Sequence, residues 1–208
     1  MIRKLIWQLN TDAIAGDYYE FGVAQGNSIR AAELAIRNSK YPQLGIRALN
    51  RNIYGFDTFS GFASPSKIDS HSTWTGEKYN HSLAKVKKRF RKSDNVNLIS
   101  IDVCNLLSKG DVSTNGFEFG IPIDTEVALV LFDLDLYAPT KSALDWIKPK
   151  IKQGTFLVFD ELYYFAARKD RGELRALLEF QRENPELEFT KVASYGAGGQ
   201  VFVVSKLR

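Results

Sequence analysis

Five times between residues 17 and 161 a short apolar run gives way to a helix-like or irregular polar segment. That alternation, more than any single motif, limits what the chain can fold into. Residues 17–24, 51–57, 95–102, 126–137 and 154–161 read as strands. Helical patterning is plain at "NSIRAAELAIRNS" (27–39), "KVKKRFRK" (85–92), "PTKSALDWIKPKI" (139–151) and "RGELRALLEFQREN" (171–184). In the run "VALVLF" (127–132) every residue is apolar, as expected of a strand covered on both faces. Two further runs, "LEFTKVAS" and "GGQVFVVSK", flank a short glycine-containing connection, "YGAG", and should pair as an antiparallel hairpin. The expectation is an α/β fold of the Rossmann-like kind: a seven-stranded, mostly parallel sheet with an antiparallel C-terminal hairpin strand and helices on both faces. No shift in composition divides the chain, so residues 1–208 are expected to form one domain.

Composition removes several function classes. The longest apolar run, residues 127–132, is far too short to cross a bilayer, and "MIRKLIWQLN" lacks the apolar core of a signal peptide. A cytoplasmic protein without membrane partners is the expectation. A lone cysteine, Cys104, excludes an internal disulfide and a thiolate metal cluster. The net charge of +4 suggests nucleic acid at first sight, but "KVKKRFRK" holds six of the basic residues, and without it the acids outnumber the bases. Val86 and Phe90 are spaced i, i+4, so this segment reads as an amphipathic helix with a solvated basic face. No nucleic-acid partner is expected.

In open α/β sheets ligands bind beyond the carboxyl ends of the strands, near the point where strand order reverses. Each strand of the parallel set delivers polar groups there. The first ends in Glu20 followed by the turn Gly22 to Gly26, the second in Asp57, the third in Asp102, the fourth in Asp133 and Asp135, and the fifth in Asp160 and Glu161. One acid at a strand end is commonly a helix cap; their convergence is the signal. The glycine turn suits a close approach of a ligand to the backbone, with Asn27 or Ser28 available to cap the next helix. Asp57 can accept both hydroxyls of a ribose. If the fourth strand runs on through Asp135, then Asp133 and Asp135 share a face and address one site. Residues 58–82, polar and glycine-containing, are long enough to serve as a substrate lid and hold His71, Trp74 and His81; either histidine can be a surface residue or an acceptor contact.

The blocks "YYEFGVAQGNSI", "IYGFDTFSGF", "WTGEKYNHSLAKV" and "FDLDLYAPTKSALDWIKPKIKQGTFLVFDEL" resemble the macrocin O-methyltransferase family, class I enzymes that use S-adenosylmethionine to methylate sugar hydroxyls. The resemblance runs from about residue 16 to residue 164. It implies S-adenosyl-L-methionine as cofactor, with Glu20, Gly22 and Gly26 at its methionine moiety, Ser28 as a further contact, Asp57 at the ribose and Asp102 near the adenine amine. It also implies Mg²⁺, or another divalent cation, on Asp133, Asp160 and Glu161, with Asp135 as general base. Glu161 departs from the pattern, since the family commonly has Asp there. The acceptor implied is a small molecule bearing a sugar hydroxyl, and homo-oligomerisation is left open.

The chemistry agrees with that implication. A sugar hydroxyl is a poor acid, and methyl transfer from a sulfonium needs a deprotonated oxygen held in line, so a hard cation on oxygen ligands supplies activation. Two other readings remain beside it: a catechol-type O-methyltransferase sharing the cation, and a binding module that kept the nucleoside site without turnover.

Overall fold

The computed structural model describes residues 1–38, 48–61, 81–109 and 117–207. Seven strands form one sheet: β1 (Asp17–Phe21), β2 (Ile53–Asp57), β3 (Val96–Ser100), β4 (Val127–Phe132), β5 (Phe156–Phe159), β6 (Leu187–Tyr195) and β7 (Gly199–Leu207). Their order across the sheet is β3-β2-β1-β4-β5-β7-β6. β1 to β5 pair in parallel, and β7 runs antiparallel to both β5 and β6. This is the Rossmann-like arrangement that the alternation and the terminal hairpin led us to expect, with strand order reversing between β1 and β4. A separate two-residue ladder, Phe117–Glu118 against Ile121–Pro122, lies where the sequence showed only an irregular segment.

Helices cover both faces because the strands are apolar on both. α1 (Ile2–Thr11), α2 (Asn27–Arg37) and α3 (Leu83–Arg89) lie over one face. There Leu5, Ile6 and Leu9 of α1 meet Ile29, Ala32 and Ile36 of α2, while Val86 and Phe90 close the layer. α4 (Leu106–Lys109), α5 (Tyr137–Ile147) and α6 (Gly172–Glu183) cover the other, through Leu106, Leu144, Trp146, Leu177 and Phe180. Every residue of β4 is buried, as its unbroken apolar run requires. α1 was not anticipated, although Leu5, Ile6 and Leu9 give it an apolar stripe at helical spacing. Buried Arg51, two residues before β2, donates to the carbonyls of Gly16 and Ile14 and to Asn10 Oδ1, and so ties the α1–β1 connection to the sheet.

The packing that positions the site is a row of four phenylalanines. Phe56, Phe21, Phe132 and Phe159 are register partners on β2, β1, β4 and β5. Their rings stack in sequence at centroid distances of 5.0, 5.6 and 4.8 Å, and Trp146 of α5 meets the edges of the first two. Four large aromatics side by side make a rigid, dry floor at the carboxyl end of the sheet. The residue following each one is Asp57, Gly22, Asp133 and Asp160 respectively. Strand register therefore brings these four to one level, immediately above the aromatic row.

Candidate active site

The chain crosses the switch point at Gly22 and Asp133. Gly22 has φ +91°, and a Cβ there would lie 1.9 Å from the Asp133 carbonyl oxygen. The Asp133 amide donates to the Phe21 carbonyl at 2.9 Å. The glycine is demanded by the protein's own backbone, before any ligand is considered. Four residues on, Gly26 adopts φ +75° as the N-cap of α2, and a Cβ there would meet the Phe90 ring at 2.9 Å. Among the described residues no side chain caps α2. Of the two residues anticipated for that task, Ser28 donates to Glu20 Oε1 at 2.5 Å, and Asn27 Oδ1 accepts from Arg89 Nη2 at 3.0 Å. Arg89 also donates through Nη1 to the Gln25 carbonyl, so α3 grips the turn from outside.

Asp57 holds this turn from within. Its Oδ2 accepts the amides of Val23 and Ala24, both at 2.8 Å, and its Oδ1 accepts that of Phe59 at 2.7 Å. The carboxylate expected to meet a ribose is thus first a clamp between β2 and the glycine turn, and its Oδ1 also lies 3.5 Å from the Thr58 hydroxyl, which donates at 2.7 Å to the Gly61 carbonyl. Asp102 lies two residues past β3. It caps a 3₁₀ turn, accepting from the Cys104 amide at 3.0 Å and from Asn105 Nδ2 at 3.3 Å.

Glu20 is fully buried, with Tyr18 donating to Oε2 and Ser28 to Oε1, each at 2.5 Å. Burial pushes its carboxyl up to about 8, against the pull of those two hydrogen bonds. An acid with a higher pKa folded than unfolded keeps its proton longer in the folded state. Its contribution to stability is then full below its ordinary value of 4.5 and is lost as pH rises towards about 8. Metal-free protein should accordingly lose stability between about pH 5 and about pH 8, and the Glu20→Gln variant should lose less over the same range. Urea denaturation at stepped pH measures both slopes; equal slopes would remove Glu20 as the cause.

Around Asp133 the acids converge. One carboxylate oxygen each from Asp133, Asp160 and Glu161 lies within 4.8 Å of the others. Burial first, then Asp160 and Asp135, hold the Asp133 carboxyl well above the usual range. Glu161 is pushed up likewise by burial, then by Asp135 and Asp133. No Lys, Arg or His among the described residues forms an ion pair with any of the three. Glu161 Oε2 is buried and has no hydrogen-bond partner among the described residues. The Tyr195 hydroxyl of β6 lies beside the Asp160 carboxyl. Three hard oxygen donors within ligand distance, one of them orphaned, are a donor set that fits a divalent cation. Glu161, despite its extra methylene, falls within the cluster.

β4 ends at Phe132, so Asp133 and Asp135 do not share a strand face as the sequence suggested. A turn brings Asp135 in. It has φ +61°, and the Leu136 amide donates to the Leu134 carbonyl at 2.6 Å, which makes Asp135 the centre of a three-residue γ-turn. Backbone strain of this kind concentrates at functional sites.

One buried acid escaped the sequence reading altogether. Glu173, in the first turn of α6, is 1 % exposed, and burial, then Asp135 and Asp133, hold its carboxyl well above the usual range. An acid just inside a helix start was its only signal, and that signal ordinarily marks a favourable dipole interaction. Of the residues expected to shape the acceptor side, His71 and Trp74 lie outside the described residues, as does residues 62–80 of the anticipated lid. His81 is half-buried just before α3.

Residues 19–162 match the family described as "Methyltransferase domain". No curated protein matches the chain. Among solved structures, the chain is similar to CalS11, a TDP-rhamnose 3'-O-methyltransferase of calicheamicin biosynthesis. The identity is 25% and the TM-score 0.61, over 97% of this chain and 77% of that one. NovP, an O-methyltransferase, aligns at 16% identity and TM-score 0.68 over 99% of this chain and 78% of its own. An O-methyltransferase from Bacillus cereus in complex with SAH aligns at 13% identity and TM-score 0.56, covering 98% and 80%.

Proposed function

The chain belongs to the methyltransferase-domain family, and we propose that it is an S-adenosylmethionine-dependent, divalent-metal-assisted O-methyltransferase acting on a sugar hydroxyl of a small molecule. The observation that carries this reading is the group of Asp133, Asp160 and Glu161 at the strand switch point, unpaired with any cation of the protein among the described residues. The similarity to CalS11, whose acceptor is a nucleotide sugar, supports the acceptor class. The SAH complex of the Bacillus cereus structure supports the cofactor.

In this reading the glycine turn from Gly22 to Gly26 lies against the methionine end of the cofactor, and the first-turn amides of α2 suit its carboxylate. Glu20, braced by Tyr18 and Ser28, shapes that pocket from below. Asp57 takes a ribose hydroxyl on Oδ1 in place of the long Thr58 contact, and Asp102 serves the adenine side. Asp133, Asp160 and Glu161 would hold the divalent ion, which when bound acidifies the acceptor hydroxyl. Asp135 would take the acceptor hydroxyl's proton, and S-adenosylmethionine, when bound, would supply the methyl group and leave as the neutral thioether. The Phe56–Phe21–Phe132–Phe159 row keeps the reacting groups on a floor that does not yield.

The test is methyl transfer to a panel of nucleotide sugars and catechols, each with Mg²⁺ and with EDTA. The expected result is a methylated sugar product that disappears with EDTA and returns with Mg²⁺. Turnover of catechol alone would replace the acceptor class. Calorimetric binding of SAH without turnover of any diol would make the protein a binding module.

A further inference from the structure

We propose that Glu173 is a positioning residue that sets the two acid-bearing turns of the site against each other. Its Oε1 accepts the amide of Leu134, between Asp133 and Asp135, at 3.4 Å, and its Oε2 accepts the amide of Glu161 at 3.2 Å. The inference rests on the cation reading above and adds to it a residue that touches neither cation nor substrate.

The argument begins where the sheet stops. β4 and β5 are held together by their ladder as far as Phe132 and Phe159, with a last bond from the Asp160 amide to the Phe132 carbonyl at 3.0 Å. Asp133 and Asp160 are still held by bonds to the Phe21 and Phe132 carbonyls, but Asp135 and Glu161 sit on the turns beyond them, and the pairing of the strands does not fix how those two turns lie against each other. A cation with rigid coordination demands that separation within a few tenths of an ångström. Glu173 spans the gap from a third element, the first turn of α6.

Its chemistry also fits the task better than any substitute. Two amides approach from two turns, and a carboxylate offers an acceptor oxygen to each. A glutamine of the same shape offers one oxygen and turns an NH₂ towards the second amide. The conserved logic of metal sites is the same: groups behind the ligands fix the ligands' orientation.

The experiment titrates Mn²⁺ into metal-free wild type, Glu173→Gln and Glu173→Asp by calorimetry, with SAH affinity and thermal midpoint measured in parallel. Glu173→Gln keeps the length and loses one acceptor; Glu173→Asp keeps the charge and cannot reach both amides. Both variants are expected to weaken Mn²⁺ binding by about 10- to 100-fold. SAH affinity should stay within about twofold, and the midpoint of Glu173→Gln should stay near that of wild type, relief of repulsion offsetting the lost acceptor. Three results would overturn the inference. They are Mn²⁺ affinity unchanged in both variants, wild-type affinity in Glu173→Asp alone (an effect of charge), or SAH affinity and midpoint falling in step with Mn²⁺ affinity (a residue of the fold). Wild type that binds no Mn²⁺ fails at an earlier point, overturning the cation reading and this inference with it.

Discussion

The Asp133→Ala protein is expected to lose about 10³-fold or more in kcat, about 4 kcal/mol of transition-state stabilisation, while it still binds SAH. Its metal-free form should be at least as stable as wild type. The two effects have opposite signs for one reason. The half-buried Asp133 carboxyl faces the charges of Asp160, Asp135 and Glu20, so that deleting it relieves repulsion in the folded state. The parts of Asp133 that shape the switch point are backbone: its amide on the Phe21 carbonyl and its carbonyl against Gly22. Alanine retains both. A structural acid would behave otherwise, lowering the melting temperature and sparing turnover per folded molecule. Steady-state kinetics with Mg²⁺, SAH calorimetry and a thermal melt on one preparation separate the cases. Turnover within about tenfold of wild type would remove Asp133 from the chemistry.

Much of this site was readable because its residues sit one step past strand ends, and strand ends are local features of a sequence. The fragments "EFG", "GFD", "LFD" and "VFD" occur at the ends of β1, β2, β4 and β5. In hindsight they announce both the aromatic row and the polar level above it. The signal was missed because stacking of Phe21 on Phe56 and Phe132 depends on register between strands far apart in the chain. Contacts that need tertiary structure stayed hidden for the same reason. Glu173 lies 39 residues from Leu134 and looks like an ordinary first-turn acid. Asp57 reads in the sequence as a ribose ligand or a local cap, yet it is occupied by three amides, two of them more than 30 residues away. The γ-turn at Asp135 replaced an expected strand because local alternation carries no sign of where a ladder ends.

The glycine turn shows most clearly how a motif that looks made for a ligand can answer first to the fold. Gly22→Ala is expected to cost about 4 kcal/mol or more in folding stability, read from urea denaturation. The added Cβ would sit 1.9 Å from the Asp133 carbonyl oxygen at a backbone φ of +91°. Relief would have to come from backbone on both sides, since β1 and β4 are locked in register up to Phe21 and Phe132. Gly26→Ala supplies the comparison. Its φ of +75° is also strained, but the nearest atoms are ring carbons of Phe90, a side chain that can move. About 1 to 2 kcal/mol is expected there. If both glycines served only to admit a ligand, both variants would fold normally and lose SAH affinity alike. If backbone crossing governs Gly22, its variant must lose folding stability first, and any folded remainder must show weakened Mn²⁺ binding, because the displaced partner is Asp133. That joint loss ties the cofactor turn and the acid cluster to a single contact at the switch point.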